Sequence, residues 1–179
     1  MKIVITGALG HIGSKLIREL PTQFPEAEIV MIDNLMTQRY CSLFHLPKRR
    51  NYRFVEGDVT QVDMRSIMEG AHTVIHLAAI TDAAGSFDRA EQLELNNYTA
   101  TQRVAEACLD SGTRMIHLSS TSVYGTQKEL VDEDCPEEDL KPQSPYATTK
   151  LKEERLVRRM VSEQKLRATP CRFGTIFGV

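Results

Sequence analysis

The sequence is short of several features, and each shortage removes a class of function. No apolar run approaches the ~20 residues that a membrane-spanning helix needs, so no membrane partner is expected. Positive charge is not in excess. The 22 Lys and Arg are balanced by 24 Asp and Glu, for a net charge of −2, which gives no basis for binding nucleic acid or an anionic membrane surface. The only compact basic run in the first half, Lys48-Arg49-Arg50, reads as a solvated loop. The four cysteines form no C-x-x-C pair and lie near no metal-spaced histidine pair, so no metal site is expected. Reduced thiols in a cytosolic protein are the simplest reading. No signal-peptide pattern precedes the first strand pattern, and a cytoplasmic location is the expectation. There is no internal repeat and no low-complexity segment.

What is present is a regular alternation. Short β-branched runs at Lys2–Thr6, Glu28–Ile32, Tyr52–Glu56, Thr73–His76, Arg114–Ser119 and Ala168–Phe173 read as strands. Longer helical patterns lie between them at His11–Leu20, Val62–Met68, Arg89–Ser111 and Pro145–Gln164. Alternation of this kind predicts an α/β fold, a doubly wound parallel sheet with helices on both faces. The 179 residues suit one domain with a real core. The acidic, proline-bearing stretch from Asp132 to Pro145 reads as a surface loop. The last residues, Arg172 to Val179, read as a strand running into a loop. In such sheets ligands bind at the carboxyl ends of the strands, and no following segment remains to cover that crevice. The expectation is one dinucleotide-binding domain over residues 1–179, with a C-terminal substrate lobe missing.

The first strand runs into Thr6-Gly7-Ala8-Leu9-Gly10-His11-Ile12-Gly13, with glycines spaced G-x-x-G-x-x-G before a helix. This is the dinucleotide fingerprint of a Rossmann-type fold. Gly7 permits the tight turn, Gly10 lets the backbone approach a pyrophosphate, and Gly13 lets helix and strand pack closely. The free N–H groups of the helix start then bind phosphate. Asp33 stands twenty residues after Gly13, closing the second strand pattern. A carboxylate there accepts hydrogen bonds from ribose hydroxyls and repels a 2′-phosphate, which favours NAD over NADP. Arg39 lies close enough in sequence to soften that preference. Asp58, in Gly57-Asp58-Val59 after the third strand, is placed to meet the adenine, although in isolation it reads as a turn residue.

Ser144-Pro145 is a good helix start, with Ser as cap and Pro in the first turn. Tyr146 and Lys150 then fall four apart, on one helix face. A phenol with an unperturbed pKa near ~10 is a poor base at neutral pH. A nearby ammonium stabilises the phenolate. Bringing the phenol to ~7 requires roughly 4 kcal/mol, which Lys150 and a cationic nicotinamide are expected to supply together.

These segments, with MIDNL, GDVT, HLAA (His76–Ala79), SSTSVYG (Ser119–Gly125) and YATTK (Tyr146–Lys150) in order, resemble the extended short-chain dehydrogenase/reductase family in its NAD-dependent nucleotide-sugar epimerase/dehydratase branch. The resemblance covers essentially the whole chain. It implies Tyr146 as catalytic acid/base, Lys150 on the nicotinamide ribose, and Ser120, four before Tyr124, as the hydroxyl bonded to the reacting oxygen. It further implies a cofactor cleft formed by Gly7, Gly10, His11, Ile12, Gly13, Asp33, Asn34, Asp58, Val59, Leu77, Ala78 and Ala79. Asn97 would stand beside the nicotinamide end, with Asn96 as competitor for that place.

Two positions depart from the pattern. The sugar dehydratases and UDP-glucuronate decarboxylases usually carry an acid just before V-Y-G or L-Y-G, where this sequence has Thr121 and Ser122. Thr175 stands where many relatives have an Asn that contacts the substrate diphosphate. The resemblance therefore implies an epimerase acting on a nucleotide sugar through a transient keto intermediate, with bound NAD recycled. The alternatives are a sugar dehydrogenase, ketoreductase or dehydratase of the same family, or a non-catalytic NAD-binding module. A small-molecule substrate and a homodimer are the partners expected.

Overall fold

The computed structural model describes residues 1–48, 51–81, 88, 90–126 and 131–176. Arg49 and Arg50 of the basic run, Arg89 at the expected start of the long helix, and the last three residues lie outside that set. Six strands form one sheet: β1 (Lys2–Thr6), β2 (Glu28–Asp33), β3 (Asn51–Glu56), β4 (Thr73–His76), β5 (Arg114–Ser120) and β6 (Ala168–Phe173). Among the described residues four α-helices lie between them: α1 (His11–Gln23), α2 (Met64–Met68), α3 (Ala90–Ser111) and α4 (Pro145–Gln164). All pairings are parallel, in the order β3-β2-β1-β4-β5-β6. This is the doubly wound Rossmann order, in which the chain reverses direction across the sheet between β1 and β4. The ligand crevice of such a sheet opens at that reversal, beyond the carboxyl ends of the strands.

The strands are apolar on both faces because both faces are covered. Side chains alternate between the two sides. Ile3, Ile5, Ile29 and Met31 pack with Leu9 and Ile17 on the α1 side. Val4, Val30, Ile32, Val74 and Met115 pack with Val104, Val157 and Met160 on the α3–α4 side. The register sets Val4 beside both Val30 and Val74, so the central strand is walled in.

Several boundaries differ from the sequence reading, for local reasons. α1 continues three residues past Leu20 and includes Pro21. A proline there removes the N–H that would bond the carbonyl of Ile17 four residues back. The Tyr52 hydroxyl, arriving from β3, donates to that carbonyl at 2.8 Å instead. α2 begins at Met64, because Asp63 caps it by accepting from the Ser66 N–H at 3.1 Å. The acidic stretch after Val131 is a mostly exposed loop, as its composition indicates, and it is anchored to the fold at two points. Leu140 is buried with Val123, Tyr124 and Leu151, and the Tyr124 hydroxyl donates to the Asp132 carbonyl at 2.9 Å. Among the described residues, no helix is long and apolar enough to cross a membrane.

Candidate active site

The glycine turn follows from contact distances. Gly7 has φ +63°, and a Cβ there would lie 2.8 Å from the Ala78 backbone N. That is both a left-handed conformation and a close approach that only glycine tolerates. A Cβ on Gly13 would lie 2.5 Å from the Gly7 carbonyl oxygen, so the first turn of α1 sits directly on the end of β1. Gly10 closes the turn with its N–H on the Gly7 carbonyl at 3.1 Å. It caps α1 without a side chain, which leaves the first N–H groups of the helix to the cleft.

The acids are held by backbone. Asp33 accepts from the Leu9 N–H through Oδ2 and from the Leu35 N–H through Oδ1, each at 3.0 Å. A carboxylate has about four lone-pair sites, so both oxygens retain capacity toward the cleft. Asp58 accepts from Thr60 N–H (2.8 Å), Thr60 Oγ1 (2.6 Å) and Asn34 Nδ2 (3.0 Å). Burial pushes its carboxyl up, but these hydrogen bonds outweigh it and leave the group below its ordinary value. Asn34 thereby ties the loop after β2 to the loop after β3.

These residues line one cleft of about 250 Å³. Its wall includes Gly7, Gly10, His11, Ile12, Gly13, Asp33, Asn34, Asp58, Val59 and Leu77 to Ala79, together with Arg39, Asn96 and Leu118. Asn97, Tyr146 and Lys150 are not on that wall. Asn97 is buried behind it, with its side chain bridging the N–H (2.8 Å) and the carbonyl (3.0 Å) of Ile80. It braces the segment after β4, while its neighbour Asn96 faces the cleft.

α4 begins as the sequence indicates. Ser144 Oγ accepts from the Ala147 N–H at 3.1 Å, and Pro145 occupies the first turn. Lys150 is buried, and its Nζ donates to the Leu118 carbonyl (3.2 Å) and to Glu153 Oε2 (3.0 Å). Leu118 also lines the cleft, so this bond sets the ammonium just behind the cleft wall, on the strand that ends in Ser120. Ser120 Oγ accepts from the Ser122 N–H (3.1 Å) and the Ser122 hydroxyl (2.8 Å). Both of its lone pairs are then used, and its own proton remains to donate. Tyr146 is half-buried. In the chain by itself its phenol is not lowered. Burial raises it, Glu153 adds to the rise, and Lys150 opposes them without prevailing. The Lys150 charge alone therefore does not make Tyr146 a base.

The sequence reading missed the polar groups beneath this pair. Glu153 and Glu154 are both buried. Arg172 grips Glu154 with two bonds, Nη2 to Oε1 at 2.7 Å and Nε to Oε2 at 3.1 Å, and Ser119 Oγ adds a third at 3.0 Å. Burial raises the Glu154 carboxyl, but Arg172, Ser119 and Arg158 together bring it below its ordinary value. The Arg172 guanidinium also lies over the Tyr124 ring, 4.9 Å from its centroid. His76 and His117 are buried with their rings 6.0 Å apart. The spacing of Lys150, Glu153 and Val157 was the available signal, because it places charge on the buried stripe of an amphipathic helix. Among the described residues, no group of three His, Cys, Asp or Glu is placed to hold a metal ion.

Fold and site together define a dinucleotide-binding enzyme domain. A sequence profile of the NAD dependent epimerase/dehydratase family matches residues 3–179, and the chain belongs to that family of enzymes. It is similar to a trifunctional UDP-glucose 4,6-dehydratase/UDP-4-keto-6-deoxy-D-glucose 3,5-epimerase/UDP-4-keto-L-rhamnose-reductase of Arabidopsis thaliana, at 35% identity over 87% of this chain and 24% of the relative. It is 30% identical to an uncharacterized UDP-glucose epimerase of Bacillus subtilis, over 99% of this chain and 57% of that protein. Among solved structures, the UDP-glucuronic acid 4-epimerase of Bacillus cereus in complex with UDP-glucuronic acid and NAD superimposes with a TM-score of 0.91 at 30% identity, over 99% of this chain and 58% of that one. The chain thus spans from about a quarter to somewhat over half of the length of these relatives.

Proposed function

We propose that this chain is the NAD-binding part of a nucleotide-sugar epimerase, with Tyr146, Lys150 and Ser120 as its catalytic residues. One observation carries the reading. Leu118 lines the cleft built by the glycine turn and Asp33, and its carbonyl holds the Lys150 ammonium. The cofactor cleft and the Tyr/Lys helix are therefore joined through β5, whose last residue is Ser120.

The cleft fits NAD. The space that a Cβ on Gly7 or Gly13 would take is already filled by backbone, which leaves a tight turn that offers the first N–H groups of α1 to a pyrophosphate. Asp33 has capacity for two ribose hydroxyls and no tolerance for a 2′-phosphate. Bound NAD would supply a hydride acceptor and return the hydride later. The protein's own part is proton transfer and positioning. Tyr146 Oη takes the proton of a sugar hydroxyl as the carbon becomes a ketone, and gives it back after the ketone presents its other face. Ser120, with only its proton free, donates to the sugar oxygen. Lys150 has three donors, two of them engaged by Leu118 and Glu153. The third would be left for the ribose of bound NAD.

Epimerisation is favoured over dehydration because Thr121 and Ser122 carry no carboxyl. Elimination of water needs a group that ionises near neutral pH, and hydroxyls do not. The test is to incubate the protein with NAD and, separately, UDP-glucose, UDP-glucuronic acid and dTDP-glucose, then resolve the products by mass and by sugar configuration. A product of unchanged mass with one inverted carbon supports the proposal. A product lighter by one water overturns it in favour of a dehydratase, the activity that the Arabidopsis relative's name includes.

A further inference from the structure

Beneath the Tyr146–Lys150 pair lies a continuous chain of buried hydrogen bonds that the proposed reaction does not use. Thr6 Oγ1 accepts from the N–H groups of Leu77 and Ala78, each at 3.2 Å. Its lone pairs are thereby filled, and its proton goes to His76 Nδ1 at 2.8 Å. His76 is neutral, because burial and then the Lys150 charge depress its pKa to about 3. With Nδ1 accepting, its remaining proton is on Nε2, 3.1 Å from Thr101 Oγ1. Thr101 passes its own proton to Glu153 Oε2 at 2.8 Å. That same oxygen receives the Lys150 ammonium at 3.0 Å. The donors all point one way, from the glycine turn to Glu153 Oε2, where the lysine donates from the other side.

Glu153 is the terminal acceptor of this chain, and its side chain is 1% exposed. On α4, Tyr146, Lys150 and Glu153 are spaced i, i+4, i+7, one stripe of the helix. The other titratable groups facing Glu153 are His76 on β4 and His117 on β5. His117 Nε2 is 3.7 Å from Glu153 Oε2, too long for a hydrogen bond. Burial and the Lys150 charge also keep that ring neutral, so it offers no counter-charge. Neither ring nitrogen of His117 has a partner among the described residues, nor does Glu153 Oε1. Among the described residues, Lys150 is thus the only cation within hydrogen-bond distance of Glu153.

We propose that Glu153 is a positioning residue that holds the Lys150 ammonium against β5 and offsets part of the charge that Lys150 presents to Tyr146. This deepens the reading of Tyr146 and Lys150 as the catalytic pair and rests on it. Burial is the largest cause of the raised Tyr146 phenol, Lys150 opposes it, and Glu153 adds a smaller rise in the direction the proposal needs.

The test reads Tyr146 itself and needs no substrate. Tyrosine labelled at 13Cζ gives one resonance for each of the five tyrosines, and Tyr146→Phe identifies the one in question. In the chain without cofactor, Glu153→Gln should move the Tyr146 midpoint to lower pH, because the carboxamide keeps a hydrogen-bond acceptor and removes the charge. Glu153→Asp should return the midpoint toward its original position. Should the Gln variant not fold, Glu153→Met, apolar and of similar length, carries the same expectation. A merely structural role for Glu153 would lower stability and leave the midpoint in place. An unmoved or raised midpoint in a folded Gln or Met variant overturns the proposal, whatever the sugar assays give. If the midpoint falls but no nucleotide sugar turns over, the positioning role stands and the epimerase reading fails.

Discussion

At the scale of single residues, Tyr146 and Asp33 carry the sharpest expectations. Tyr146→Phe keeps the ring that α4 half-buries and deletes only the oxygen that exchanges a proton. Turnover should fall at least about a hundredfold, within the range for loss of a general acid/base, while NAD binding by calorimetry stays nearly unchanged. Lys150→Ala should harm both, since it removes the donor proposed for the ribose and leaves Glu153 buried without its cation. Activity within a few-fold of wild type in the Phe variant would defeat the mechanism. Asp33 bears on cofactor choice, because backbone N–H groups fix both of its oxygens and it cannot swing away from a 2′-phosphate. NAD should bind more tightly than NADP in paired titrations. A preference for NADP would shift attention to Arg39, which shares the cleft wall. Tyr146, Lys150 and Asp33 were legible in the sequence because motif spacing marks them. Glu153 was not. A glutamate among Lys152, Glu154 and Arg155 reads as part of a solvated helix face, and only the packing of α4 on β5 turns it inward.

At the scale of elements, the strand positions were readable because parallel strands buried on both faces are short β-branched runs. The helix ends were less so, because tertiary partners set them. α1 shows why. Pro21 marks a stop in sequence, but Tyr52, thirty-one residues later, supplies the hydrogen bond that the proline withholds. Tyr52→Phe should leave the Ile17 carbonyl without that partner and destabilise the protein by about 1–3 kcal/mol, read as a lower urea midpoint with an unchanged slope. The last turn of α1 should lose protection first in hydrogen exchange. An unaltered midpoint would mean that water satisfies the carbonyl equally well. The stretch from Asp132 to Pro145 is the exposed loop that its composition indicates, with an anchor that composition does not show. Its acidic composition suggests solvent, yet Leu140 closes a small core over Tyr124 and Leu151, and this fixes the approach to the Ser144 cap.

At the scale of the whole molecule, the fold stores two histidines in their neutral form. Above pH 6.5, the ordinary histidine value, His76 is neutral both folded and unfolded and its contribution is flat. As pH falls below that, the unfolded chain takes up a proton that the folded chain refuses. Stability then drops by about 1.4 kcal/mol per pH unit per histidine, and for His76 the loss levels off near the folded value of about 3. His117 acts in the same direction. Urea midpoints followed by circular dichroism should therefore stay level down to about pH 6.5 and fall from there toward pH 5. A midpoint constant across that range would show that the interior accepts an imidazolium.

The hydrogen-bond chain from Thr6 to Glu153 has a spectroscopic consequence as well. It crosses β1, β4, α3 and α4, and each hydroxyl along it has one acceptor and no contact with solvent. Hydroxyl protons in proteins ordinarily exchange with water too quickly to be observed. Those of Thr6 and Thr101, both fully buried, should persist as separate proton resonances, and their disappearance would report the first breathing of the domain between its glycine turn and α4.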